Sequence, residues 1–204
     1  MNSYKDLSIL KFQEIHNAIL VSEGNEIREA YNVLSVLTGV SVETYKAMKY
    51  SDFQKECEKI AWLSDAPLPD QYVTKFECKG EKFEIVQHAT DWTTEQFISM
   101  STLTKDRAQI VNNIHLILAT LTKGVDSLTE HQRRSELFQN NLSIDIAYPT
   151  AFFFAQFLAK LSQTTQFYSH VKKKQNLAKA IGKSKKMQNG SQKNGVGILQ
   201  STKS

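Results

Sequence analysis

A chain of 204 residues, 41% of them hydrophobic, has the length of one domain or of one domain with an extension. Its net charge of +4 averages two unlike parts. Nine of the 25 basic residues lie from Val171 onward with no acidic residue among them, leaving 16 against 21 acidic residues in a body near −5. Two cysteines, Cys57 and Cys78, are too few for a disulfide framework or a cysteine-based zinc site, and both read as small hydrophobes.

Lys5, Asp6, Lys11 and Glu14 interrupt any early apolar run, so no signal peptide is expected and the protein reads as soluble and intracellular. A first helix is predicted from Ile9 to Leu20, with Ile9, Phe12, Ile15, His16 and Ile19 near one face. After a turn at Glu23-Gly24-Asn25, a second helix carries Ile27, Ala30, Tyr31, Leu34 and Leu37, and Gly39 is placed to stop it. Ser41 caps a short helix through Met48. Ser51 with Gln54 reads as a capping box opening a helix with Phe53, Cys57, Ile60 and Ala61 on one side. Pro67 and Pro69 end that region.

The stretch near 72–87 is the one clear β-hairpin signal. Tyr72, Thr74, Phe76 and Cys78 alternate onto one side, Phe83, Ile85 and Val86 follow, and Lys79-Gly80 makes the reversal. Thr93 as N-cap with Gln96 at N3 forms a capping box, and Trp92 with Phe97 matches a hydrophobic staple. That helix breaks near Thr104. Ile110, Val111, Ile114, Ile117, Leu118 and Leu121 then give the most regular amphipathic pattern, closed by Gly124. Thr129 to Asn140 reads as a polar surface helix anchored by Leu137 and Phe138.

A last helix is expected from Pro149, a residue suited to N1, with Asp145 capping the region. It carries Phe152, Phe153, Phe154, Phe157, Leu158, Leu161, Phe167 and Tyr168. Consecutive phenylalanines point about 100° apart, so they cannot share one face. Either neighbours cover the helix on several sides, or one side meets another protein chain, with Phe152, Phe153 and Phe157 as the partner-binding residues. The longest apolar stretch, Ala147 to Leu161, is broken by Pro149, Gln156 and Lys160 and is shorter than the ~20 residues of a membrane span. No membrane association is expected. The fold class is therefore α+β and mostly α: a helical domain (1–171) with one small hairpin, followed by a Lys-rich tail (172–204) whose composition predicts disorder.

Candidate chemistry is sparse. His16, His88, His115, His131 and His170 show no metal-ligand spacing, and His16 and His115 border apolar helical faces. Neither GxGxxG nor GxxxxGK is present, acidic residues form no paired arrangement, and no catalytic residue, metal or cofactor is expected. In the tail, Lys172, Lys173, Lys174, Lys183, Lys185 and Lys186 are suited to phosphate or to an acidic protein partner. Without arginine or aromatic residues nearby, base readout or stacking is not expected there.

The order of these segments, with FECKGEKFEI, WTTEQF, NIHLIL and IDIAYPTAFFFAQFL in succession, resembles small tail-associated proteins of tailed phages and prophages of Bacteroidetes-type bacteria, of the tail assembly chaperone kind. The likeness covers about residues 5–170 and leaves the lysine tail outside it. It implies a non-enzymatic part in virion morphogenesis: binding a tail tape-measure or baseplate component in the host cytoplasm, with or without retention in the virion. The alternative is a nucleic-acid-associated virion or cargo protein that uses the lysine tail for non-specific phosphate contact.

Overall fold

The computed structural model describes residues 3–65, 71–125 and 127–161. The chain divides into a first compact unit that ends at Leu158 and a second, 159–204, of which only 159–161 are described. The lysine segment, the expected boundary at 171, Phe167, Tyr168, His170 and both Pro67 and Pro69 lie outside the described residues.

The architecture is helical with a single two-stranded antiparallel sheet. Its elements are α1 (Ile9–Leu20), α2 (Glu26–Thr38), α3 (Val42–Ala47), α4 (Tyr50–Glu58), α5 (Trp62–Asp65), β1 (Lys75–Cys78), β2 (Glu81–Glu84), α6 (Thr94–Leu103), α7 (Ile110–Leu121) and α8 (Leu128–Asn141). A further helix, α9, spans 144–161.

The main core forms around α7, whose Ile114, Ile117, Leu118 and Leu121 are essentially free of solvent. That helix packs against α1, α6 and α8, and Ile9 and Ile15 of α1, Met100 of α6, Phe138 of α8, and Ala151 and Phe154 of α9 are buried as well. Complete burial of one such aliphatic or aromatic side chain contributes about 1.5–3 kcal/mol, which is why the strongest apolar period lies innermost. A smaller cluster of Leu34, Tyr45 and Phe53 holds α2, α3 and α4 together.

The hairpin follows its alternation. Phe76 faces Phe83 across the strands and Cys78 faces Glu81. Lys79 (φ 52°) and Gly80 (φ 81°) both occupy the left-handed region, as a type I′ reversal requires. Phe76 and Phe83 stack at 5.5 Å, and Phe138 meets both rings edge-on at 5.3 and 4.7 Å. The marginal hairpin thus rests on α8.

Several local expectations are corrected. The helix predicted from Ser51 begins at Tyr50 with Lys49 as N-cap, because the amides of Asp52 and Phe53 already donate to the Lys49 carbonyl. The capping box of Thr93 and Gln96 forms, but the staple does not bury its second residue. Trp92 turns to Phe154 and Phe157, and Phe97 is 43% exposed. α7 ends at Leu121, before Gly124. Thr122 leaves the helix to bridge against Ile85, Val86 N–H donates to Leu121 O, and Lys123 N–H donates to Glu84 O, so the link extends the hairpin's β2 side. On α8 the expected anchor Phe138 is fully buried, and Ser135 is buried beside it on the same helix.

Nor does the last helix start at Pro149. The carbonyl of Ser143 accepts from Ile146 and Ala147, placing Ser143 at the N-cap, while Asp145 accepts from the Ser143 hydroxyl in the first turn. Pro149 lies within α9 and is buried. What fixes this earlier start is tertiary. Ser143 bridges Ser8, with Ile9 N–H donating to Leu142 O and Ile144 N–H to Leu7 O. On α1 and α2 the apolar stripes also rotate: Gln13 is buried and Ile19 partly exposed, while Val33 and Leu34 are buried and Ile27 is 59% exposed.

Candidate functional site

The α9 phenylalanines separate into two aromatic chains. One runs from Trp62 through Tyr4, Phe12 and Tyr148 to Phe152, with centroid steps of 5.3, 6.3, 5.9 and 4.0 Å. It ties the N-terminal turn and α1 to α9, and Phe152 is its half-buried end. The other links Tyr72, Phe153, Phe154, Trp92 and Phe157. Tyr72 stacks on Phe153 at 3.9 Å, and Trp92 lies 6.1 Å from Phe154 and 6.4 Å from Phe157. Within this second chain Phe154 and Trp92 are buried, Phe157 is half-buried, and Phe153 is 39% exposed.

Of the three residues expected to meet a partner, then, Phe153 and Phe157 share one stripe of α9 at i, i+4 spacing, and Phe152 belongs to another face. The segment before β1 holds Tyr72 in place, because Val73 N–H donates to Thr150 Oγ1 at 3.2 Å. Trp92 is fixed by its indole N–H donating to Val86 O at 2.9 Å. Phe153 is thereby a solvent-facing aromatic on a backed, rigid support.

Two shallow clefts lie beside each other near the start of α6. One, of about 350 Å³, is lined by Thr93, Glu95, Ser99, Thr120 and His131. The other, of about 390 Å³, is lined by Val86, His88, Asp91 and Lys123, and Gln96 and Val125 border both. These residues come from the β2–α6 link, α6, the end of α7, the α7–α8 link and α8, and no spacing rule would have gathered them. Thr120 Oγ1 donates to Leu116 O at 2.8 Å, which leaves its lone pair to accept from His131 Nε2 at 3.0 Å. Burial lowers the His131 pKa, against smaller opposing contributions from Leu116 O and Glu95. Both polar side chains are committed to structural bonds. Among the described residues no group of three or more His, Cys, Asp or Glu is arranged to hold a metal ion.

A buried polar joint connects α1, α7 and α8. Gln13 Nε2 donates to the carbonyls of Val111 and Asn112 at 3.0 and 2.9 Å and lies 3.1 Å from His115 Nδ1, while Gln139 Nε2 donates to Gln13 Oε1 at 2.9 Å. The Gln13 amide has two N–H groups for three acceptors, so one is shared, and because an amide nitrogen accepts no hydrogen bond, His115 Nδ1 faces it as the unprotonated nitrogen of a neutral ring. Burial, with a smaller contribution from His131, pushes the His115 pKa down to about 4.

A charged clamp faces solvent on the hairpin side. Arg133 bonds Glu81 through two nitrogens, at 2.9 Å each, and also reaches Glu130. Arg134 bonds Glu130 and donates to the carbonyls of Lys123 and Gly124. The two guanidinium groups, Arg133 first, hold the Glu130 carboxyl down to about 2. Both thiols are shifted up by burial, Cys78 buried and Cys57 half-buried, which disfavours the thiolate a nucleophile needs.

No protein-family model, curated protein or solved structure matches the chain. Among the described residues no helix is long and apolar enough to cross a membrane.

Proposed function

We propose that the protein is a non-enzymatic morphogenesis factor of a tailed phage, a tail assembly chaperone or tail-associated protein. It binds a tape-measure or baseplate component through the α9 stripe that carries Phe153 and Phe157, and acts in the host cytoplasm during assembly. The observation that supports this reading is the Tyr72–Phe153 stack: an aromatic surface partly open to solvent, braced from below by buried Phe154 and Trp92. Large, rigid aromatic side chains lose little conformational freedom on binding and dominate protein interfaces. The phage context comes from the sequence resemblance.

Co-expression with the tape-measure and baseplate proteins tests it, using Phe153→Asp. The variant is expected to keep its circular dichroism spectrum and to recover at least about tenfold less partner, as loss of a central aromatic contact implies. A Phe153→Asp protein that folds and recovers its partner as well as wild type contradicts the assignment.

A further inference from the structure

A third cleft lies on the opposite part of the first unit's sequence, among α1, α2 and the α4–α5 link. Its volume is about 320 Å³, and its walls are mainly Ile19, Ala30, Val33, Cys57, Ile60 and Ala61. Three neighbours in the chain are unusually open for aliphatic residues: Leu20 (58%), Val21 (65%) and Ile27 (59%). Scattered exposed aliphatics are ordinary, and these three are next in the chain to lining residues without lining the cleft themselves.

The rim is acidic. Glu26 and Glu29, from the first turn of α2, line the cleft. Three other carboxylates on these helices hold a lysine, Glu14 with Lys11, Asp52 with Lys55 and Glu56 with Lys59, and Glu58 at the end of α4 does not line the cleft. Glu26 and Glu29 make no ion pair among the described residues. An apolar floor beneath two unneutralised carboxylates is the complement of a helix with aliphatic anchors on one face and lysine or arginine beside them.

We propose that this cleft is a docking groove for a basic amphipathic helix of a partner protein. The groove is separate from the α9 stripe, so the inference does not rest on the phage reading and survives or fails without it. The anchors enter between Ala30 and Ala61, two small side chains that leave the space, and the basic residues meet Glu26 and Glu29. The acidic rim selects against acidic helices of the same apolar pattern.

The test uses the full chain and a fluorescein-labelled peptide of about five helical turns built from Leu and Lys in amphipathic order. A matched peptide carries Glu in place of Lys. Because the segment from Val171 onward carries nine lysines and attracts the acidic peptide anywhere along it, site occupancy is read at Cys57. Cys57 is half-buried in the groove, whereas Cys78 is 4% exposed and serves as internal reference. The Lys peptide is expected to slow alkylation of Cys57 several-fold and leave Cys78 unchanged; the Glu peptide is expected to protect neither.

In anisotropy, Glu26→Lys with Glu29→Lys weakens the Lys peptide at least about tenfold, as reversal of two rim charges predicts. Ala61→Trp, at an exposed position, fills the groove and abolishes protection. Circular dichroism melts of the variants establish that each is folded, and the charge reversal alone decides the matter if the Trp variant is not. Unprotected Cys57, equal protection by both peptides, or binding indifferent to the double reversal overturns the proposal. So does self-association in sedimentation that Ala61→Trp removes, which would assign the groove to a second copy of the chain.

Discussion

Gln13 shows how one polar side chain inside an apolar helix face decides what its neighbours can be. Its amide nitrogen donates to two backbone carbonyls and accepts no hydrogen bond, so the contact to His115 Nδ1 holds only while the imidazole is neutral. Protonation would set two donors against each other at the joint of α1, α7 and α8. The unfolded chain binds a proton at His115 near pH 6.5, the folded chain only near pH 4. The folded-state pKa is the lower one, so the stability from this group is complete above pH 6.5 and is lost as pH falls from 6.5 to about 4. One such group changes stability by at most ~1.4 kcal/mol per pH unit. Burial also lowers His16 and His131, which act in the same direction. Urea unfolding across this window is expected to show declining stability, with a smaller slope in His115→Gln, whose amide still accepts from Gln13. Equal slopes in the two proteins would contradict the network. Gln13→Ala strands buried polar groups and is expected to cost about 1–3 kcal/mol.

At the scale of the element, the features legible in the sequence are those that close within three or four residues. Thr93 and Gln96 meet in their capping box, Gly39 ends α2 with φ 74°, and Lys79-Gly80 sets the hairpin register that puts Phe76 opposite Phe83. Features set by distant partners were not legible. Ser143 caps α9 while bridging Ser8, and Thr122 leaves α7 for Ile85, pairings whose members lie far apart in the chain. Pro149 looked like a start because its ring suits one, yet α9 begins ahead of it. The turn itself gives a paired prediction. Lys79 holds a left-handed conformation that asparagine tolerates better, so Lys79→Asn is expected to stabilise by several tenths to about 1 kcal/mol. Gly80→Ala, at φ 81°, is expected to destabilise by about 1 kcal/mol or more. Thermal melts that shift in the same direction for both substitutions would refute the type I′ assignment.

For the molecule as a whole, the structure separates residues that hold the fold from residues that can meet a partner. Phe138, fully buried between both hairpin aromatics, is a fold residue: Phe138→Ala is expected to cost about 3–5 kcal/mol in chemical unfolding. Phe153, stacked at the surface, is not, and its replacement forfeits about 0.5–1.5 kcal/mol of ring pairing. Helical spacing already separated Phe152 from Phe153, whereas the packing of Phe152 on Tyr148, and of Tyr148 on Phe12 of α1, depends on a distant element and lay beyond any local pattern. The clefts were illegible for the same reason, their walls coming from separate elements. The most direct measurement is nuclease-treated affinity recovery from the native host. Wild type, Phe153→Asp, and a full-length chain with Lys172, Lys173, Lys174, Lys183, Lys185 and Lys186 changed to Gln are compared side by side. The account predicts a tail tape-measure or baseplate protein with wild type and the Gln variant, and its loss with Phe153→Asp. Partners that vanish with nuclease or with the lysines, and persist in Phe153→Asp, would contradict it in favour of nucleic-acid association.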